Sequence, residues 1–292
     1  MIAAMRGDYT GPMPYLKRSG EPDLWYELDD FTDPWRNAPC VVLQHGNGRS
    51  SRFWYQWVPY LARFYRVVRP DVRGLGRSSA DFDIERGLTL QTCAADLAAI
   101  LGALGAESVH FCGESMGGMI GVVFAALHPE RVRTLTLVST PAYLREPGKA
   151  SAVLRTASLQ SVKEAGVKGW ASSESRSMRF PDDADPGLVE WYATELARNR
   201  PEAAEAMARF AEKADTREYL KQVGCPVLGL YPSAGPITSG AQEEVLRSSL
   251  SNLQLVHLPA SYHKVQLMFP ATCAQALLHF MAQHDGVACR EN

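Results

Sequence analysis

The chain has 292 residues, 46% of them hydrophobic and 21% charged, a balance that excludes a disordered chain and supports one large folded domain with room for an insertion. Lys and Arg number 30 against 32 Asp and Glu, for a formal charge of −2, and no long block of like charge occurs, so no nucleic-acid partner is expected. The longest apolar run, Met119 to Leu127, is about half a membrane span, and Cys40, Cys93, Cys112, Cys225, Cys273 and Cys289 form no C-x-x-C pair, which predicts a cytoplasmic protein with reduced thiols and no membrane partner.

Taken in chain order, Tyr15 to Lys17 and Leu24 to Glu27 read as an edge hairpin, and Cys40 to Gln44 and Tyr65 to Pro70 as the first buried strands. Leu90 to Leu104 puts Leu90, Cys93, Leu97, Ile100, Leu101 and Leu104 on one helical face, with Thr89 as N-cap and Gly105 just past the end. Val109 to Cys112 reads as a strand, Met119 to His128 as a helix, and Leu135 to Val138 as another strand. Between Tyr143 and about Leu220 the strand signal vanishes into Ala, Glu, Arg and Ser with isolated large apolar residues, which predicts inserted helices lying over a sheet as a lid. Val227 to Tyr231 and Leu253 to Leu258 complete the strands. Strands alternating with helical patterns predict an α/β fold, a mostly parallel central sheet flanked by helices.

Two Gly-rich turns carry chemistry. Gly46-Asn47-Gly48-Arg49-Ser50-Ser51, with Asp71 some 20 residues on, mimics a dinucleotide fingerprint, but Ser51 stands where the third glycine would let helix and strand pack closely. Cys112-Gly113-Glu114-Ser115-Met116-Gly117-Gly118 is more specific, because G-x-S-x-G falls between a strand and a helix. A turn sharp enough to lift Ser115 above the sheet leaves no space for side chains at Gly113 or Gly117, and the helix that follows aims free N–H groups at the serine.

With these motifs the chain resembles the α/β-hydrolase fold superfamily, in its capped, serine esterase-like and lactonase-like form, over about residues 14 to 285. His45-Gly46-Asn47-Gly48, Asp71-Val72-Arg73-Gly74-Leu75-Gly76-Arg77-Ser78 and His128-Pro129-Glu130-Arg131-Val132 fall in the family's order. The resemblance implies core segments at 1–142 and 222–292 around a helical lid at 143–221. It also implies Ser115 as nucleophile, the N–H groups of Asn47 and Met116 as oxyanion hole, and a structural role for Asp71 and Arg73. A serine hydroxyl needs a base. Of seven histidines, His263 alone stands in a loop after the last strand, where the family pattern puts the base.

The third triad member departs from the pattern. Gly235 occupies the place in Tyr231-Pro232-Ser233-Ala234-Gly235-Pro236-Ile237-Thr238 where the family usually has Asp, and the alternative place, Val138-Ser139-Thr140-Pro141, also lacks an acid. Replacing a triad aspartate by its amide costs ~10⁴ in turnover, so the gap has three readings. Another carboxylate reaches His263, with Glu114, Glu146 and Glu243 as candidates. Alternatively, a Ser-His dyad suffices for an activated ester, lactone or thioester. The third is a fold with weakened hydrolytic power that serves ligand binding or, as a cofactor-free lyase, proton transfer through His263.

The expectation is a serine-nucleophile hydrolase of a small ester, lactone or related carbonyl substrate, requiring neither metal nor cofactor, with a homodimer left open. Ser rather than Asp at the nucleophile position argues against epoxide-hydrolase and haloalkane-dehalogenase chemistry. Trp170, Trp191, Tyr192 and Phe210 read first as helix packing and second as pocket lining. Arg49 and Lys264 read first as solvated loop cations and second as holders of a substrate carboxylate.

Overall fold

The computed structural model describes residues 15–145, 158–235 and 237–287. Eight strands form one sheet: β1 (Tyr15–Leu16), β2 (Leu24–Asp29), β3 (Cys40–Gln44), β4 (Arg66–Pro70), β5 (Val109–Glu114), β6 (Val132–Val138), β7 (Val227–Pro232) and β8 (Leu253–Leu258), in the order β1-β2-β4-β3-β5-β6-β7-β8. The hairpin β1–β2 joins antiparallel at one edge, and β3 to β8 pair in parallel.

Strands buried on both faces explain the near-continuous apolar runs. In β3, Cys40 and Val42 pack toward the helices Leu90–Ala103 and Met116–Leu127, whereas Val41 and Leu43 pack with Trp54, Trp57 and the C-terminal helix Pro270–Asp285. Thr89 caps its helix in a capping box with Thr92, and Gly105 takes the left-handed conformation (φ 63°) just beyond. β5 runs two residues further than Val109 to Cys112, because Gly113 and Glu114 continue the ladder opposite Leu137 and Val138. That extension makes Glu114 a buried strand residue instead of part of a solvated turn.

Between β6 and β7 the described residues form the helices Ser158–Ala171, Glu174–Ser177, Pro186–Ala197, Pro201–Lys213 and Arg217–Leu220. Trp170, Phe180, Val189, Tyr192 and Leu196 make a separate apolar cluster that also takes in Phe53, after β3, and Leu267, after β8. The helices Ser158–Ala171 and Pro186–Ala197 therefore sit against loops at the carboxyl ends of the parallel strands. Phe210 instead joins the main core. Among the described residues no helix is long and apolar enough to cross a membrane.

Candidate active site

Ser115 sits at the turn between β5 and the helix Met116–Leu127 with φ 54° and ψ −119°, a conformation that costs a non-glycine residue energy and persists only when its surroundings enforce it. They do so on both sides. The Ser115 N–H donates to Val138 O at 2.9 Å, and its carbonyl accepts from Gly118 and Met119. A Cβ at Gly113 would strike the Gly117 backbone, and one at Gly117 would strike the Gln44 carbonyl. Glycine is thus required at both positions by contact rather than by torsion.

The Gly46–Ser50 loop follows β3 and lies against this turn. His45 holds it: Nδ1 donates to Gly46 O at 2.9 Å, and Nε2 accepts from the Val72 N–H at 3.0 Å. The bond accepted at Nε2 requires a neutral ring, which burial favours by lowering its pKa. Asp71 is a loop brace, accepting from the Ser51 and Arg77 N–H groups. Arg73 forms a buried bidentate pair with Asp96 at 2.6 and 2.5 Å. Asn47 is half-buried in the loop, and the Met116 N–H precedes the first intrahelical acceptor of its helix.

His263 follows β8 and is 3% exposed. Its backbone N–H donates to Met178 O at 3.0 Å, and that of Lys264 donates to Arg179 O at 3.1 Å, so the inserted helical segment anchors this loop. His263 Nε2 lies 3.3 Å from Glu114 Oε1, and the same carboxylate oxygen meets Lys264 Nζ. A Cβ on Gly46 would collide with that carboxylate, which places Glu114 directly beneath the Asn47 loop. With Glu114 ionised, the bond to His263 requires the proton on Nε2, which leaves Nδ1 as the basic nitrogen. Nδ1 is buried without a hydrogen-bond partner. No hydrogen bond joins His263 to Ser115 Oγ in this structure.

The charges tune one another. Burial resists ionisation of Glu114, but the Lys264, His263 and Arg49 charges outweigh it and hold the carboxyl well below its usual range. Burial, with Lys264 and Arg179 nearby, pushes His263 down to about 4. Lys264 is also lowered, by burial and by Arg49, against the opposing pull of Glu114.

The other acid candidates lie elsewhere. Glu243 bonds His257 at 2.7 Å and Arg247 at 2.8 Å, so it is committed away from His263, while Glu146 lies outside the described residues. Gly235 stands in the loop after β7, tied to the end of β8 through Ser233 and Ala234, and its φ is not in the left-handed region. Of the remaining histidines, His110 bonds Thr134 and Asp285, while His128 and His284 pack on the rings of Phe124 and Phe280. Arg49 and Lys264 are not solvated as loop cations ordinarily are: they are 6% and 0% exposed. The sequence reading missed Arg179, also buried, because nothing in the helical insertion marks it as facing the strand ends.

The pattern of the alpha/beta hydrolase fold matches residues 39–165. The chain is 29% identical over 230 residues to 3-oxoadipate enol-lactonase 1 of Acinetobacter baylyi, covering 77% of this chain and 82% of that one. It is 28% identical over 250 residues to karrikin insensitive 2 receptor IA of Petunia hybrida, covering 84% and 90% respectively. A hydrolase from Pseudomonas aeruginosa superposes with a TM-score of 0.74 at 26% identity, over 93% of this chain and 99% of that one. Together with the sheet order and the strained serine turn after β5, these likenesses identify the chain as a member of the α/β-hydrolase-fold superfamily, a hydrolase of that type.

Proposed function

We propose that the chain hydrolyses a small ester, lactone or related carbonyl substrate with Ser115 as nucleophile. The observation that carries this reading is the serine's φ of 54° at a turn where glycines on both sides are sterically required. Backbone strain so closely enforced serves to present a side chain. In this mechanism Ser115 Oγ attacks the carbonyl carbon and the N–H groups of Asn47 and Met116 hold the developing oxyanion. His263 takes the serine proton on Nδ1, directly or through one water, since catalytic hydrogen bonds commonly tighten only once substrate is bound. Glu114, on Nε2, stabilises the imidazolium and supplies the acid missing at Gly235. The protonated His263 then protonates the leaving group, and water repeats the sequence to free the acid. The helices between β6 and β7 serve as a lid over this centre.

One observation favours a second reading. Lys264 neutralises the carboxylate that His263 needs, which is the expected mark of a weakened hydrolase that retains its ligand. A fluorophosphonate probe separates the two. The hydrolase reading expects a stoichiometric mass increase in the intact protein that Ser115→Ala abolishes while leaving the circular dichroism spectrum unchanged. No adduct on the wild type, or an adduct that survives in the variant, overturns it.

A further inference from the structure

Two other buried arginines of this chain have carboxylates. Arg69 meets Glu27 at 2.6 Å and Asp29 at 2.7 Å, and Arg73 meets Asp96 at 2.5 Å. This is the usual rule, because an ion taken out of water without a counter-ion is costly. Arg49 breaks it. It is as buried as these two, yet among the described residues it has no ion pair within 4.0 Å, and its Nε has no hydrogen-bond partner. Its one described hydrogen bond runs from a terminal nitrogen to the Asn47 carbonyl, leaving most of its five N–H donors unassigned. The guanidinium carbon lies 5.1 Å from the Tyr192 ring centre, a contact that eases a buried cation without neutralising it.

The neighbourhood deepens the imbalance. The nearby carboxylate, Glu114, is already engaged by Lys264 and His263. Lys264 Nζ lies 5.9 Å from the centre of the same Tyr192 ring, and the Arg179 charge bears on Arg49, Lys264 and His263. Arg179 is lowered to about 9 and Arg49 is lowered as well, burial being the first cause for both. The Tyr192 hydroxyl and Asn47 Oδ1 are also buried without partners.

We infer that Arg49 is the recognition residue for a carboxylate carried by the substrate, and that the preferred substrate is an ester or lactone with a free carboxylate a few bonds from the scissile carbonyl. The spacing follows from the loop: the Arg49 side chain is hydrogen-bonded to the residue whose N–H forms half of the proposed oxyanion hole. This inference rests on the serine-nucleophile reading for the position of the scissile carbonyl, but not for the anion site itself. Tyr192 forms the floor under the guanidinium, and the bound carboxylate supplies the charge that the protein withholds.

The test compares para-nitrophenyl hydrogen glutarate with its neutral isostere, in which an amide replaces the carboxylate. The wild type is expected to show kcat/KM about tenfold or more higher for the anionic ester, the worth of a charge-assisted hydrogen bond. Arg49→Met should bring the ratio of the two close to one, and Arg49→Lys should retain part of it. Because Arg49 also braces the Asn47 loop, a loss of turnover shared equally by both esters marks a structural role and overturns the proposal. So does a wild-type enzyme that does not discriminate. If neither ester is hydrolysed and the fluorophosphonate leaves no adduct, the nucleophile reading fails, and free glutarate still decides the anion site. It should raise the melting temperature of the wild type and of a Ser115→Ala protein but not that of Arg49→Met; no shift in the wild type overturns the inference.

Discussion

Glu114 and Ser115 are adjacent in the chain, yet Glu114 Oε1 lies 3.3 Å from Nε2 of His263, 149 positions further on. The strand residue before Ser115 thus touches the candidate base, which a carboxylate on the loop after β7 would ordinarily do.

Glu114→Gln separates chemistry from stability. Losing the carboxylate should lower turnover by ~10²–10⁴, the range spanned by general-base and triad-acid losses. It also strands Lys264 as a buried cation without a partner, at a cost of about 3–5 kcal/mol. Adding Lys264→Met should recover most of the lost melting temperature without restoring turnover. If activity returns with stability, Glu114 is a folding residue and nothing more.

His263→Ala should lower kcat/KM by ~10²–10⁴. The pH profile says more. Burial and the neighbouring Lys264 and Arg179 cations favour the neutral ring, which lowers the pKa to about 4. The basic form therefore predominates above about pH 4, and kcat/KM should hold as pH is lowered from neutrality through 6.5 and fall only near 4. Lys264→Met removes one of those cations and should move the acid limb upward. An acid limb at the ordinary histidine value in the wild type would contradict the arrangement. In stability the same group works in the direction of acid lability: between the ordinary value and about 4 the unfolded chain takes a proton that the folded one refuses, so stability declines as pH falls through that window.

Gly235→Asp should leave turnover within about twofold of the wild type, because Glu114 already occupies His263 Nε2 and a second carboxylate adds little to a stabilised imidazolium. The backbone at Gly235 is not in the left-handed region, and the Cβ of an aspartate there meets the Pro232 ring at 2.8 Å and the Thr238 hydroxyl at 3.2 Å, so the variant's fold is checked by its circular dichroism spectrum. A large rise in turnover for a folded variant would show that the acid is missing after all.

Gly117→Ala presses a methyl group onto the Gln44 carbonyl, which is backbone and cannot swing away. We expect a loss of about 1–3 kcal/mol in chemical denaturation, as for other overpacked sites, with a disproportionate loss of probe labelling because the same contact sets Ser115.

The fold and the G-x-S-x-G turn were legible in the sequence because each leaves its mark in the types of neighbouring residues. Strands such as Cys40–Gln44 run apolar from Cys40 to Leu43 because both faces are covered, and G-x-S-x-G between a strand and a helix records a steric demand, made on Gly113 by the Gly117 backbone four residues on and on Gly117 by the Gln44 carbonyl of the neighbouring strand. The partners of His263 were not legible in the same way. Glu114, Glu146 and Glu243 carry the same carboxyl group in the sequence. Glu114 is set apart because β5 extends far enough to bury it at the end of the ladder, while β8 and the Met178–Arg179 backbone bring His263 and Lys264 across to it. Arg49 shows the same division. Its place in a Gly-rich loop was readable, but its burial without a counter-ion depends on helices contributed from the far side of the chain, because desolvation belongs to the packed environment and is not written in any residue's identity.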